Sequence, residues 1–425
     1  MIINRCNKCG VLAVLALGVS ALSASANGFS LGAQDAFATA RGGAFVATAD
    51  NASAVYYNPA GLTQLEGVNV RGGIYGVYLN PTFSPPSTAA NSGNTYHIED
   101  NLAAVPQVFG AYTPKDWPLS FGFGFYAPFG GNLSWPQDTG FRTVAISGSL
   151  KYLAFNPVAA LKLAPGFSIA AGAMANYASL DTDQGLIGSS GPLVNYFRFK
   201  GDGWGLGYNA GLLWQPFEQV SLGATFRSST KITMEGRTDF ELQPFIPHSV
   251  RSARADFEFP WTAVLGVSYR PTPKWNLEFD ANYTDWSSFG KTTIYETPAP
   301  PYPMQPNVLV TFDWKASWMY QFGVTRYFDN GWHVSAGYVF DQNSVPDAYY
   351  SPLAVDLDRH FFSIGTGFKG KRFDFDIAYQ FGYGPAHTVT GSKPSSTPGF
   401  YAGENADGKY DFISHAVQLT VGMHF

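Results

Sequence analysis

Apolar and polar residues alternate with a period of two over long stretches of this chain. From Trp275 to Thr284 one parity carries Trp275, Leu277, Phe279 and Tyr283, and the other carries Asn276, Glu278, Asp280, Asn282 and Thr284. Phe373, Phe375, Ile377, Tyr379 and Phe381 stand in the same way against Asp374, Asp376 and Gln380. Successive side chains of a strand point to opposite faces, so the pattern predicts strands with one apolar face. Fourteen are expected, near residues 67–80, 102–113, 118–127, 149–163, 166–179, 202–215, 219–234, 256–270, 274–288, 312–327, 331–341, 359–369, 372–383 and 412–425.

The connections alternate in length. Short turns fall at Pro114–Trp117, Ala164–Gly166, Pro216–Gln219, Pro271–Pro273, Asp329–Gly331 and Gly370–Lys371. Long segments fall at 81–101, 128–148, 180–201, 235–255, 289–311, 342–358 and 384–411, and they hold most of the Pro, Ser and Asn clusters. A secreted β-sandwich also alternates, but with short polar loops around an inward apolar face. Strands of about ten residues with aromatics near their ends match the lipid-facing band and girdles of an outer-membrane barrel. In the last strand Ile413, Val417, Leu419, Val421, Met423 and Phe425 share one parity, and the chain stops at the aromatic. Such a strand resembles the signal read by the barrel assembly machinery. The expectation is an all-β fold: a 14-stranded antiparallel transmembrane β-barrel, with short turns toward the periplasm and long loops outside.

Composition agrees with that setting. Of 425 residues only 13% are charged, 16% are aromatic, and 46 are Gly, with a mean hydropathy of −0.06. A net charge of −5 gives no footprint for nucleic acid. Residues 1–26 read as a secretory signal peptide: Arg5 and Lys8, an apolar run from Gly10 to Leu22, then Ala24-Ser25-Ala26. Cleavage there removes Cys6 and Cys9, leaving no thiol chemistry, and leaves 24 basic against 31 acidic residues, a net of −7. No later apolar run is long enough for a spanning helix. His97, His248, His333, His360, His387, His415 and His424 are scattered without metal-ligand spacing, and no GxSxG occurs. Neither an enzyme nor a metal or cofactor site is expected.

Residues 27–66 differ from everything after them. The stretch is rich in Ala and Gly, poor in charge, has neither strand alternation nor a sustained helical stripe, and reaches the turn Asn58-Pro59-Ala60-Gly61. It is expected as a plug, or hatch, inside the barrel formed by residues 67–425. A fourteen-strand barrel is too wide for its own side chains to fill. A blocked lumen implies passage of something that must not simply diffuse through water.

Several motifs now gain weight together: Asn27-Gly28-Phe29, Asn58-Pro59-Ala60, Tyr126-Ala127-Pro128-Phe129-Gly130, Trp204 through Leu213, Phe226-Arg227-Ser228, Trp286-Ser287-Ser288-Phe289 and the terminal Phe425. In this order, over essentially the whole mature chain, they resemble the FadL family of outer-membrane transporters. The resemblance implies passive, selective uptake of long-chain fatty acids in the bacterial outer membrane. Its parts would be capture among extracellular loops, an inner site gated by the hatch, and lateral release through an opening in the third strand. It also implies contact with outer-membrane lipid and lipopolysaccharide. An uptake channel for aromatic hydrocarbons or other neutral hydrophobic compounds stays open, because residues 175–181 lack the basic groups some members carry. A non-transporting, adhesin-like barrel stays open as well.

Candidate residues follow from parity and from the resemblance. The family likeness puts Phe29 at the inner site, though a terminal anchor would look the same. Asn58, Pro59 and Ala60 are expected to support gating, or only to fix the exit of the plug. Lys315 shares the parity of Ser317, Met319, Gln321 and Gly323, so it is expected in the lumen, facing a ligand carboxylate or an acid such as Asp280, or else solvated at the rim. Arg227 has lumenal parity too and is a second cation. In the third strand Gly122 and Gly124, followed by Pro128, Phe129 and Gly130, are expected at the kink and side opening. Leu133, Trp135 and Phe141, or Leu193, Tyr196 and Phe197, would form the capture groove or pack on themselves.

Overall fold

In the computed structural model, residues 28–188, 194–299, 307–394 and 403–425 are described. The expected signal peptide and Leu193 lie outside them. The wall begins with β1 (Gly67–Ser84), β2 (Leu102–Thr113), β3 (Leu119–Tyr126, resuming as Gly130–Ser134), β4 (Ser147–Ala164) and β5 (Phe167–Gln184). It continues with β6 (Asn195–Phe217), β7 (Val220–Arg227 and Thr230–Leu242), β8 (Ile246–Phe259 and Thr262–Thr272) and β9 (Trp275–Thr284 and Lys291–Thr297). It ends with β10 (Asn307–Thr311 and Ser317–Tyr327), β11 (Trp332–Asp341), β12 (Arg359–Lys369), β13 (Phe373–Val389) and β14 (Gly408–His424). Neighbours pair antiparallel, and β14 returns to β1 in a register running from Asn69↔His424 to Ser84↔Lys409. The 14-strand barrel is therefore closed, with no edge left to template aggregation.

Through the lipid band the alternation works as written. Ile413, Val417, Leu419, Val421 and Met423 are exposed on the outer face of β14, while Ser414, Ala416, Gln418 and Thr420 are buried inside. A belt of outer aromatics marks one interface. Tyr208, Phe226, Trp261, Tyr283 and Trp318 follow one another from strand to strand at centroid spacings of 5.9, 5.8, 5.1 and 5.0 Å.

Beyond the belt, toward the long loops, the pattern inverts. Phe197, Phe199, Ile232, Met234, Phe240, Leu242, Ile246 and Phe257 are buried inside, while Lys200, Glu235, Arg237 and Arg254 are exposed outside. Residues 235–255 were expected as a loop; they are instead the continuation of β7 and β8, joined by residues 243–245. Similar extensions reach into the segments expected at 81–101, 128–148, 180–201, 289–311 and 384–411. Out of the membrane the solvent side must be charged, so the polar residues that read as loop are the outer face of strands.

Residues 28–66 lie within the wall. They form two short helices, α1 (Ala36–Ala40) and α2 (Ala54–Tyr57), and a 3-10 turn over Pro59–Gln64. Asp35 caps α1, its carboxylate accepting the N–H groups of Phe37 at 3.0 Å and Ala38 at 3.3 Å. Small residues allow the segment to touch the wall backbone to backbone. A Cβ at Gly337 of β11 would stand 2.1 Å from the Gly42 nitrogen, and one at Gly223 of β7 would stand 2.2 Å from the Val46 oxygen.

Candidate functional site

The leading arm, residues 28–34, docks on a break in β3. Proline cannot donate to a ladder, and at Ala127-Pro128-Phe129 the strand stops. The ladder between β2 and β3 is short, running only from Val108↔Phe125 to Tyr112↔Phe121. Where it ends, the arm takes over: Leu31 N–H donates to Pro128 O at 2.8 Å, Gly130 N–H donates to Phe29 O at 2.8 Å, and Ser30 pairs with Phe129. Gly122 and Gly124 lie lower on β3, where an added Cβ would meet Val55 and, at Gly122, Leu62 of the hatch.

Aromatic rings converge from the arm and the opposite wall. Phe29 lies 5.2 Å from Trp314, 6.3 Å from Phe289 and 6.4 Å from Trp286. Phe129 reaches Tyr152 at 5.2 Å, Phe259 at 5.6 Å and Trp286 at 5.6 Å. Trp286, Phe289 and Trp314 sit where β9 and β10 are interrupted, at residues 285–290 and 312–316.

Two small cavities flank Gly32, Gly43, Met319 and Gln321. One of about 70 Å³ is lined by Gln34, Tyr75, Asp341 and Gln380, and one of about 50 Å³ by Tyr56, Phe129, Arg227 and Asn282. A cavity that holds benzene measures about 150 Å³. Neither space admits a fatty acid or an aromatic hydrocarbon while the arm stays docked. Arg227 projects into the smaller cavity, its Nη2 donating to Tyr56 O at 3.0 Å and its guanidinium 4.6 Å from the Tyr56 ring centre. Its Nε has no protein partner.

Buried charges hold the body of the hatch. Glu278 Oε1 accepts the N–H groups of Ala47 at 2.7 Å and Thr48 at 3.2 Å, while Oε2 accepts from Arg41 Nη2 at 3.1 Å and from the Thr48 hydroxyl. Asp280 Oδ2 accepts from Phe45 N at 2.8 Å and Val46 N at 3.0 Å. On the far side Arg71 of β1 joins Asp35 to Asp374 and Asp376, the first of these wall contacts at 2.7 Å, and His333 Nε2 lies 2.7 Å from Asp376. Asn58 ties the second half, its amide donating to Val46 O at 2.8 Å and Leu212 O at 2.9 Å, while its Oδ1 accepts from Ala60 N at 3.2 Å. Pro59 and Ala60 are buried beside it.

Two sets of candidate ligand contacts fall to the alternatives left open for them, a solvated lysine and loop self-packing. Lys315 is exposed, and the buried place belongs to Trp314. Residues 312–316 are not strand, and Asp313 has φ of +51°, so strand parity cannot be carried back across them. Leu133, Trp135 and Phe141 form no open groove: they are 0%, 1% and 0% exposed. Trp135 Nε1 donates to Pro352 O at 3.0 Å, and Phe141 packs 4.7 Å from Phe83. They seal the long-loop end together with the inward-folded segment 342–358, where burial pushes the Asp356 carboxyl up against the pull of Arg359 and of the Ser344 donors.

Sequence reading missed the clamps. Glu278 and Asp280 showed as one polar face, but nothing local marks partners 231 and 235 residues away.

A closed barrel with an apolar outer band and its own N-terminal segment lodged in the lumen defines the class of plugged outer-membrane β-barrels. The model of the family described as outer membrane protein transport protein (OMPP1/FadL/TodX) matches residues 17–425, and the chain belongs to that family. The long-chain fatty acid transport protein of Salmonella typhi is 24% identical over 374 residues, covering 79% of this chain and 83% of the relative. A putative outer membrane protein of Neisseria meningitidis is 25% identical over 414 residues, covering 86% and 88%. Among solved structures, a Pseudomonas aeruginosa FadL homologue shares the fold at a TM-score of 0.80 with 18% identity, covering 94% of this chain and 100% of that one. The Pseudomonas putida toluene transporter TodX does so at 0.71 with 14% identity, covering 93% and 99%.

Proposed function

We propose that this protein passes long-chain fatty acids from the outer surface into the outer membrane, with the leading arm as its gate. The observation that carries the reading is the docking of residues 29–31 on the break at 127–129. One displacement of the arm would empty the ring cluster around Phe29, join the two small cavities and uncover the short ladder between β2 and β3. Lateral release into lipid spares the chain about 0.8 kcal/mol of aqueous exposure per methylene. The unpartnered buried Nε of Arg227 supports this group as the cation that would meet a carboxylate. Carriage of aromatic hydrocarbons is the second reading. It is favoured by the ring-lined passage and by Lys315 standing outside the cavities.

Ser30 and Phe129 are a facing pair flanked by the two arm hydrogen bonds, the narrow arrangement in an antiparallel bridge. Cysteines placed at both sites are close enough to oxidise to a disulfide. The oxidised Ser30→Cys/Phe129→Cys protein in liposomes is expected to lose saturable oleate uptake and to regain it on reduction. Equal uptake by the two forms would end the gating reading. Saturable toluene but not oleate uptake would select the second one.

A further inference from the structure

The larger cavity has an unusual polarity. Its wall includes Ser30, Gln34, Thr39, Tyr75, Gln321, Asp341 and Gln380, and no Lys, Arg or His. Most of the side-chain donors are already committed to protein acceptors. Gln34 Nε2 donates to Leu31 O and Ala127 O, both at 2.7 Å, and Gln321 Nε2 donates to Gly42 O at 3.0 Å. The Thr39 hydroxyl donates to Gln418 Oε1 at 2.6 Å, the Tyr75 hydroxyl to Gln380 Oε1 at 3.3 Å, and Gln380 Nε2 to Ser363 Oγ at 3.1 Å. The Ser30 hydroxyl is free to turn either way, and Gln321 and Gln380 each keep a second N–H.

Two acceptors remain. Gln34 Oε1 and Asp341 Oδ1 are buried, on residues each 1% exposed, and neither has a protein partner. The two carbonyls on Nε2 fix which way the Gln34 amide faces. Arg359 stands opposite Asp341 in the β11–β12 register without bonding to it: its Nη2 donates to Val355 O, its guanidinium lies 3.7 Å from the Phe412 ring centre, and its Nε and Nη1 have no protein partner. Buried acceptors left without a donor are costly, so a site of this kind rewards a ligand that brings one and rejects a ligand that brings only another acceptor.

We propose that this chamber is a subsite for neutral molecules carrying a hydroxyl, with Asp341 and Gln34 as its specificity-determining acceptors. This rests on reading the lumen as the ligand's passage. The hydroxyl end sits between Asp341 and Gln34. The apolar body lies along Val105, Val339 and Phe361 and extends, once Ser30 to Gly32 shift while Gln34 stays bonded to Ala127 O, into the neighbouring cavity. An ionised carboxylate is excluded from this end, which leaves Arg227 in the other cavity as the group that could meet one.

The test uses three molecules of similar shape: p-cresol, which donates; 4-methylanisole, which only accepts; and toluene, which does neither. Binding is measured by calorimetry on the detergent-solubilised full-length barrel. A hydrogen bond to a buried acceptor that is otherwise left unpaired sets the expected preference for p-cresol over 4-methylanisole at about tenfold. Asp341→Leu and Gln34→Met are each expected to bring that ratio to within about twofold while toluene binding holds. Equal affinity for p-cresol and 4-methylanisole in the unaltered protein overturns the proposal without any variant. Survival of the full preference in both variants overturns it too. Oleate uptake is scored separately. Its absence beside an intact preference for p-cresol defeats the fatty-acid reading and leaves this subsite standing.

Discussion

Glu278→Ala should turn a silent barrel into a leaking one. The carboxylate holds two hatch N–H groups and Arg41, and the side chains of Glu278 and Arg41 are both 0% exposed. Removing one member of a buried ion pair costs about 3–5 kcal/mol, because the other charge is left uncompensated. The N–H groups of Ala47 and Thr48 lose their acceptor as well, so about 4 kcal/mol is a conservative figure for the hold on the hatch body. Each 1.4 kcal/mol is a tenfold change, so the population with the body displaced should rise by roughly a thousandfold. None of this cost falls on the wall ladder, and the barrel should still fold and keep its heat-modifiable mobility on gels. In planar bilayers the variant should show frequent ion-current bursts where the unaltered protein is quiet. Arg41→Met combined with Glu278→Met removes the stranded charge and should restore most of the quiet. A folded Glu278→Ala barrel as silent as its parent would refute the assignment of this pair as the seal.

Other substitutions separate the parts. Gly337→Ala places a Cβ 2.1 Å from a hatch backbone nitrogen, with no flexible side chain to yield; it should give the same leak with the barrel intact, read by conductance. Asn58→Ala removes a cap and two cross-links and should cost about 2–3 kcal/mol locally; hydrogen exchange at residues 54–64 should quicken with little change in barrel melting. Arg227→Met should weaken oleate binding by about tenfold or more and leave toluene untouched, measured by calorimetry. Trp135→Ala should loosen the seal at the long-loop end by about 3–5 kcal/mol, seen as faster proteolysis of segment 128–146 in intact cells.

The wall was legible where lipid dictates it. Apolar residues must face outward there, and β9, β13 and β14 write that demand directly as period two. Above the aromatic belt the demand reverses, and Arg237 and Arg254 looked like loop because charge on an outer face is indistinguishable from charge in a turn. Lys315 went wrong for a related reason, since parity counts only while the backbone stays extended and Asp313 breaks it. Leu133, Trp135 and Phe141 were apolar enough to suggest a groove, but composition does not say whether apolar residues wait for a ligand or for one another. The clamps and the acceptor chamber were not legible at all. They arise from residues near 30–48 meeting residues near 280, 340 and 380, and only closure of the barrel brings those together.

The leading arm and the body of the hatch are secured by different chemistry. Buried ion pairs whose disruption costs about 3–5 kcal/mol each hold the body, whereas neutral hydrogen bonds of about 0.5–1.5 kcal/mol apiece, Gln34 Nε2 to Ala127 O among them, and ring contacts tether the arm. On the gating reading proposed above, thermal agitation frees the arm more often than it unseats the body, like a wicket cut into a barred door. Oily cargo would then slip by with no energised partner to pull the whole stopper, and the cell would keep its permeability barrier against salts and detergents while the traffic moves.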